Sequence, residues 1–282
     1  ILFCFANFFI GVGMAFTHQY RFAAAESVEK NKVPKAISII LLGGIVSAFL
    51  GPSMANYAKD IVSEQLYVGS YLSLAVLTFI PTIFFLFYEN TTKLESNIKY
   101  SGRSYLELIS QPRFLQAIVA AAFGYAIMTF LMTATPLSMH VMEKMSLSKT
   151  GIVIQMHVAA MFLPSLVTGY LIRKYGHSNI MYAGVFLYSV TIIASFFDQT
   201  FPNYLFALIF LGFGWNFLFI SGTSLLALTY KEEEKFRAQG LNDFIVFTVH
   251  AIGSLSAGVL LVLTNWKIMN IICIPLMILI VL

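Results

Sequence analysis

The sequence predicts an all-α polytopic membrane protein with nine spanning helices. Three observations carry this. First, of 282 residues 59% are hydrophobic and only 11% charged, whereas soluble domains carry about a quarter charged residues. A chain this apolar cannot cover a water-facing surface with polar groups. Second, the apolar residues fall into long blocks, and a bilayer core of about 30 Å needs roughly 20 helical residues. Third, the basic residues alternate between the loops that join those blocks. The blocks are continuously apolar rather than alternating, which favours helices over a barrel.

The blocks run 1–24, 36–57, 66–88, 115–140, 149–172, 179–197, 203–229, 239–263 and 266–282. The first ends among Arg21, Lys30, Lys32 and Lys35, and the second contains Pro52. Only Lys59 lies between the second and third. The third gives way to Lys93, Lys99, Arg103 and Arg113, and Gln111-Pro112 opens the fourth, where proline suits a first helical turn. Lys144 and Lys149 precede the fifth, and Arg173 and Lys174 follow it. No basic residue separates the sixth from the seventh. Lys231, Lys235 and Arg237 precede the eighth, and Lys267 the ninth. Odd loops thus hold 13 of the 17 basic residues and even loops 4. The positive-inside rule puts the odd loops in the cytoplasm, with Ile1 outside and Leu282 inside.

This topology accounts for the formal charge of +4. Short basic loops lie against an anionic leaflet, and no nucleic-acid partner is expected. Cys4 and Cys273 fall at different depths of their spans, which argues against a disulfide. The first block lacks a basic n-region and a cleavage site, so no signal peptide is expected. The chain opens on Ile1 instead of Met, and a truncated chain is the expectation.

Residues 89–112 form the longest hydrophilic stretch and read as a cytoplasmic linker. It divides three helices (1–88) from six (113–282). A weak repeat crosses it. Gly11-Val12-Gly13-Met14-Ala15-Phe16 and Gly212-Phe213-Gly214-Trp215-Asn216-Phe217 both read G-x-G-x-x-F. Each precedes a basic loop ending at Lys35 or Arg237, then a helix rich in small residues. Parallel repeats of this kind fit a two-half transporter. If the first and seventh helices correspond, the first half lacks three helices and the parent has twelve.

In the second block Gly43, Ser47 and Gly51 recur every four residues, followed by Pro52. Small residues at that spacing let helix backbones approach closely. Gly51 and Pro52 are candidate bend residues, since proline removes a backbone hydrogen bond; helix packing alone is the alternative.

These features resemble the major facilitator superfamily. Gly43…Gly51-Pro52 resembles its fifth-helix Gly-Pro motif. Gly169-Tyr-Leu-Ile-Arg173-Lys174-Tyr-Gly176 looks like its G-x-x-x-D-R-x-G loop between helices 8 and 9. The stretches from Gln19 to Glu26 and from Thr135 to His157 resemble a little-characterised bacterial branch. The resemblance covers the whole chain and implies two six-helix bundles, of which helices 4–12 are present. Two departures weaken a drug-antiporter assignment: Arg173 replaces the motif's acid, and Phe8 stands where a basic residue precedes the helix-4 glycines.

Polar residues inside spans are costly and face a cavity or a partner. Asp243, Phe247, His250 and Ser254 share one face of the eighth span. Asp243 and His250 are the candidate proton-coupling pair, because His titrates near neutrality. They lie about 10.5 Å apart along the axis, so water would have to join them. An interfacial Asp243 and a hydrogen-bonded packing His250 form the alternative. Thr129, Thr133, Pro136 and His140 share a face of the fourth span. His157, Met161, Pro164 and Thr168 share one of the fifth, and Gln155 points elsewhere. Thr129, Thr133 and His157 are candidate substrate-binding residues, although threonines also bond their own backbone. Trp215 and Asn216, near mid-span, are candidates for a stacking wall against a flat or amphipathic ligand, with packing as the alternative. Arg21 and Glu26 are candidate gate residues, as an ion pair, or else a solvated helix end.

No phosphate loop, G-x-S-x-G or HExxH is present, and no metal-ligand spacing. The expectation is therefore no enzyme, no cofactor and no metal. It is instead a monomeric secondary transporter of a small organic solute across the bacterial inner membrane. It would work by alternating access, with protons as the coupling ion. A non-transporting membrane sensor or scaffold on the same fold is the second reading, and a polytopic membrane enzyme a distant third.

Overall fold

A computed structural model describes residues 2–62, 67–87 and 102–282. Eleven α-helices are described: α1 (Leu2–Glu26), α2 (Val33–Ala58), α3 (Val68–Phe85), α4 (Tyr105–Ile109), α5 (Pro112–Pro136), α6 (Leu147–Phe162), α7 (Ser165–Tyr175), α8 (His177–Ala194), α9 (Phe201–Leu226), α10 (Lys235–Leu263) and α11 (Trp266–Val281). Among the described residues, seven helical stretches are long and apolar enough to cross a membrane. Val68–Phe84 and Trp266–Val281 are apolar but shorter.

Local chemistry sets the boundaries. Proline sits at the first turns of α2, α5 and α9, where its missing N–H is no loss. Ser146 Oγ caps α6, and Asn265 Oδ1 accepts from the Ile268 N–H at the start of α11. The fifth predicted block is two helices, because the chain turns at Leu163-Pro164 before α7 begins. Past Pro136 the fourth block changes to a π-helical turn over Leu137–Met142. Gly176, at φ 85°, makes the corner between α7 and α8, a backbone conformation that glycine adopts without strain. α2 runs through Pro52 as one helix.

The core centres on α5 and α9. α9 packs on α5, α6 and α8, while α10 and α11 pack on α5. α2 reaches this group through α6 and α7, and α1 and α3 flank α2. Close approaches fall at particular glycines. A Cβ on Gly222 would lie 2.7 Å from the Ala117 carbonyl oxygen, and one on Gly212 2.8 Å from that of His157. The Gly43/Gly51 stripe is different: a Cβ at either would meet nothing within 4 Å. In α2 it is Gly44, against the Phe162 ring, that makes the close contact. The same split separates the two G-x-G-x-x-F copies. Gly212 and Gly214 are tightly packed, whereas Gly11 and Gly13 meet nothing.

The described residues of the odd-numbered loops gather at one end of the molecule. Arg103 pairs with Glu234, Lys235 with Glu26, and Arg113 Nη1 donates to Ser178 Oγ. The helix ends beside the fourth, sixth and eighth loops meet at the other end. There Ser138 and Tyr204 hydroxyls are 2.6 Å apart, and the Tyr204 and Trp266 rings lie 5.2 Å apart. Loops 1, 3, 5 and 7 thus touch one another, and the ends beside loops 4, 6 and 8 touch one another, as an alternation would have it.

Residues 89–101 of the predicted linker, including Lys93 and Lys99, lie outside the described residues. Its last part is not a plain loop. Ser104 begins α4 with a capping box, its hydroxyl accepting from the Glu107 N–H and Glu107 accepting from the Ser104 N–H. Those bonds to Ser104 hold the Glu107 carboxyl below its usual range. Leu108 is fully buried. Arg103 Nη2 donates to Glu234 at 2.5 Å, and that hydrogen bond raises the Arg103 pKa. The linker's end is therefore clamped to the loop before α10.

Candidate functional site

The polar groups of α1 and α10 meet at the basic end of the membrane-spanning region. Arg21 is 2% exposed, forms an ion pair with Asp243, and stacks its guanidinium over the Phe22 and Phe219 rings at 4.6 and 4.7 Å. Asp243 also accepts from Gln19 Nε2 at 2.7 Å and from Asn242 Nδ2 at 2.9 Å. A buried charge needs such a set of partners. One turn further along α1, Lys235 Nζ is 3.4 Å from Glu26, and Gln239 Nε2 donates to Glu26 at 2.7 Å. Arg21 and Glu26 thus both contact α10, but they do not pair with each other. In place of the candidate ion pair within α1 there are two cross-helix pairs. The solvated-end alternative fails for Arg21, because its side chain reaches Asp243 instead of water.

Deeper along the same seam, aromatic rings and histidines gather. His18 on α1 lies 4.8 Å from Phe247, and Tyr125 on α5 lies 4.7 Å from His250, measured between ring centroids. Trp215 stacks on Phe219 at 4.8 Å with an interplanar angle of 13°, and Tyr125 meets both edge-on at 5.4 Å. His18, Tyr125, Phe247 and His250 are half-buried, whereas Trp215 and Phe219 are buried behind them. Four elements (α1, α5, α9 and α10) therefore supply one wall of rings.

The Asp243 and His250 side chains do not meet directly. Phe247, one turn from each on α10, places its ring 6.3 Å from that of His250. His250 Nδ1 instead lies 2.8 Å from Thr129 Oγ1. The two groups share a face, as predicted, yet each is held by a different neighbouring helix.

The other predicted residues scatter. Thr129 is buried at the cluster, whereas Thr133 and His140 are exposed, and His140 Nδ1 contacts the Met145 carbonyl. His157, expected on a cavity wall, is fully buried with Nδ1 2.7 Å from the Leu208 carbonyl. Asn216 is also fully buried. Its amide donates to the Met161 carbonyl and Ser165 Oγ and accepts from Thr168 Oγ1, each at 2.7 Å. That arrangement ties α9 to α6 and α7 and leaves no free direction toward a ligand. Gly51 is exposed and lines a nearly apolar pocket of about 760 Å³ among α1, α2 and α3.

Sequence reasoning missed His18, Tyr125 and Phe219. A signal existed for two of them. His18 lies three residues before Arg21, and Tyr125 four before Thr129, so each shares a helix face with a residue already singled out.

Together, a seam of buried polar groups, an aromatic wall and a frame of helices long and apolar enough to cross a membrane define a polytopic helical membrane protein. The sequence model described as Major Facilitator Superfamily matches residues 1–197 and 138–282. The chain belongs to the Major Facilitator Superfamily. It is 36% identical over 272 residues to the riboflavin transporter RfnT of Brucella anthropi, covering 96% of this chain and 68% of that one. It is 26% identical over 279 residues to the uncharacterized MFS-type transporter YddS of Bacillus subtilis, covering 93% and 64%. A crystal structure of a bacterial homologue of the iron transporter ferroportin in an outward-facing state superposes with a TM-score of 0.61. It covers 92% of this chain and 64% of that one at 16% identity, and so bears on the fold alone. The chain spans about two thirds of the length of these relatives.

Proposed function

We propose that the protein is a secondary active transporter that carries a small planar heteroaromatic solute across the cell membrane. Residues 1–88 belong to one helical bundle and 113–282 to the other, and the two rock about the seam between them. The observation that carries this reading is the ring cluster of His18, Tyr125, Phe247 and His250 on facing helices. Rings presented edge-on and face-on suit a flat π-system, and flanking His and Thr groups supply hydrogen bonds. Similarity to a riboflavin transporter supports a tricyclic, partly polar solute of that kind.

The Arg21–Asp243 and Glu26–Lys235 pairs form the gate on the cytoplasmic, basic side, and the arrangement corresponds to that gate closed. Asp243 and His250 couple transport to protons. Protonating Asp243 removes the charge that holds Arg21 and so favours opening. Pro52, in a helix of the smaller group, provides the bend.

The test is uptake of riboflavin and a panel of flat heteroaromatics into proteoliposomes holding the whole protein, with and without a proton gradient. Saturable uptake that is stimulated by the gradient and reduced by Asp243→Asn is expected. Absence of flux for every compound would overturn the reading. Intact flux in both Asp243→Asn and His250→Ala would remove the proton path. A sensor or scaffold would show no flux while still binding its partner.

A further inference from the structure

We propose that a second site, apart from the ring cluster and lined by none of its residues, holds the phosphate of an anionic phospholipid between α2 and α7 at the basic end. A pocket of about 210 Å³ opens there, with Lys35, Ser38, Ile39, Leu42, Gly169 and Arg173 among its walls. Two cations and a hydroxyl among its walls suit a phosphate headgroup. No Asp or Glu lines it. Lys35 and Arg173 are exposed, and neither joins an ion pair among the described residues.

The site is built and not incidental. Ser38 is 3% exposed, and its hydroxyl has no hydrogen-bond partner among the described residues. A buried polar group left unpaired is unfavourable, and a phosphate oxygen would satisfy it. Gly169 makes the geometry: a Cβ there would lie 2.9 Å from both Lys35 Cα and Ser38 Oγ. Only glycine lets α7 approach α2 closely enough to bring Ser38, Lys35 and Arg173 together.

Two features select a lipid over a free anion. Ile39 and Leu166 flank the pocket at 55% and 64% exposure, giving apolar walls for acyl chains beside the charges. The pocket also lies at the end where the basic loops gather, and basic pockets between spanning helices at that depth take anionic headgroups. Arg173 stands where the resembled loop motif has an acid, so the positive charge here is a departure from that pattern.

Native mass spectrometry of the purified whole protein tests this, using phosphatidylglycerol, phosphatidylcholine and inorganic phosphate as separate probes. Phosphatidylglycerol should remain bound and resist competition by inorganic phosphate. The Lys35→Gln/Arg173→Gln variant should bind it about thirtyfold more weakly, the loss of two charges at a membrane surface. Ser38→Ala should weaken it less. Both changed cations are exposed, and an unchanged melting temperature in lipid-free detergent confirms folding. As a second variant, Arg173→Asp should repel the headgroup. Equal retention by wild type and variants would overturn the proposal. So would equal retention of phosphatidylcholine, which marks a non-selective annulus, and displacement by inorganic phosphate, which marks a free-anion site.

Discussion

Arg21 and Asp243, 222 residues apart, form a buried ion pair that joins α1 to α10. Arg21 is buried against the Phe22 and Phe219 rings, and Asp243 is the carboxylate that answers its charge. Removing one partner of such a pair strands the other.

Asp243→Asn should therefore destabilise the closed arrangement by about 3–5 kcal/mol, the usual cost of an orphaned buried charge. Crosslinking between cysteines placed on the basic ends of α1 and α10 should fall. The exchange Arg21→Asp with Asp243→Arg should recover part of it, and no recovery would argue against a direct pair.

Asn216 gives the opposite expectation. Its amide is consumed by Met161, Ser165 and Thr168. Asn216→Ala should lower stability by about 2–3 kcal/mol through lost and orphaned hydrogen bonds. The affinity for solute per folded molecule should stay unchanged. A thermal melt in detergent beside a binding isotherm separates the two, and a lost affinity with an unchanged melt would restore Asn216 to the site.

The glycines should divide by environment. Gly212→Ala and Gly222→Ala push a methyl group into a neighbouring backbone and should cost about 1–3 kcal/mol. Gly43→Ala meets open space and should be neutral or stabilise by about 0.5–1 kcal/mol, because alanine is the better helix former. Melting temperatures of the three variants provide the check.

The linker clamp should respond to charge and to acid. Arg103→Ala removes the hydrogen bonds to Glu234 and to the Thr229 carbonyl. Arg103 is partly exposed, so the loss is expected to be about 1 kcal/mol, read as faster proteolysis near residue 102. The Glu107 carboxyl is held below its usual range by Ser104. Its contribution is therefore complete above the ordinary carboxylate pKa and is lost as pH falls through the lower folded value. The protection factor of the Ser104 amide, its exchange relative to the unstructured rate at the same pH, should fall over that acidic window and not above it.

Much of the frame was readable before any coordinates. Apolar block length located the helices to within a few residues, since a span must reach across a fixed thickness of lipid. The basic-loop alternation named which loops meet, because each crossing of the membrane reverses the chain. Asp243, Thr129 and His250 stood out because polar side chains within spans are few, Trp215 because tryptophan is commoner at the interface than in mid-span, and Arg21 because it closes the first span. Partners were another matter. Arg21 and Glu26 are neighbours on one helix, and sequence spacing ties them together; side chains reaching across from α10 gave each a different partner.

By itself the sequence determined the solvent, the helices, the order of the ends and the short list of polar residues. These follow from local quantities: hydropathy, helical period and charge count. Only the tertiary structure decided that Asp243 answers Arg21, that His250 answers Thr129 across the seam, and that His157 and Asn216 brace the interior. It also decided that Gly44, not Gly43, carries a close contact. The physical reason is that each of these depends on the rotation of one helix about its own axis relative to a neighbour. In a membrane protein whose helices are apolar nearly all round, side-chain packing and buried hydrogen bonds fix that rotation, and the hydrophobic pattern does not.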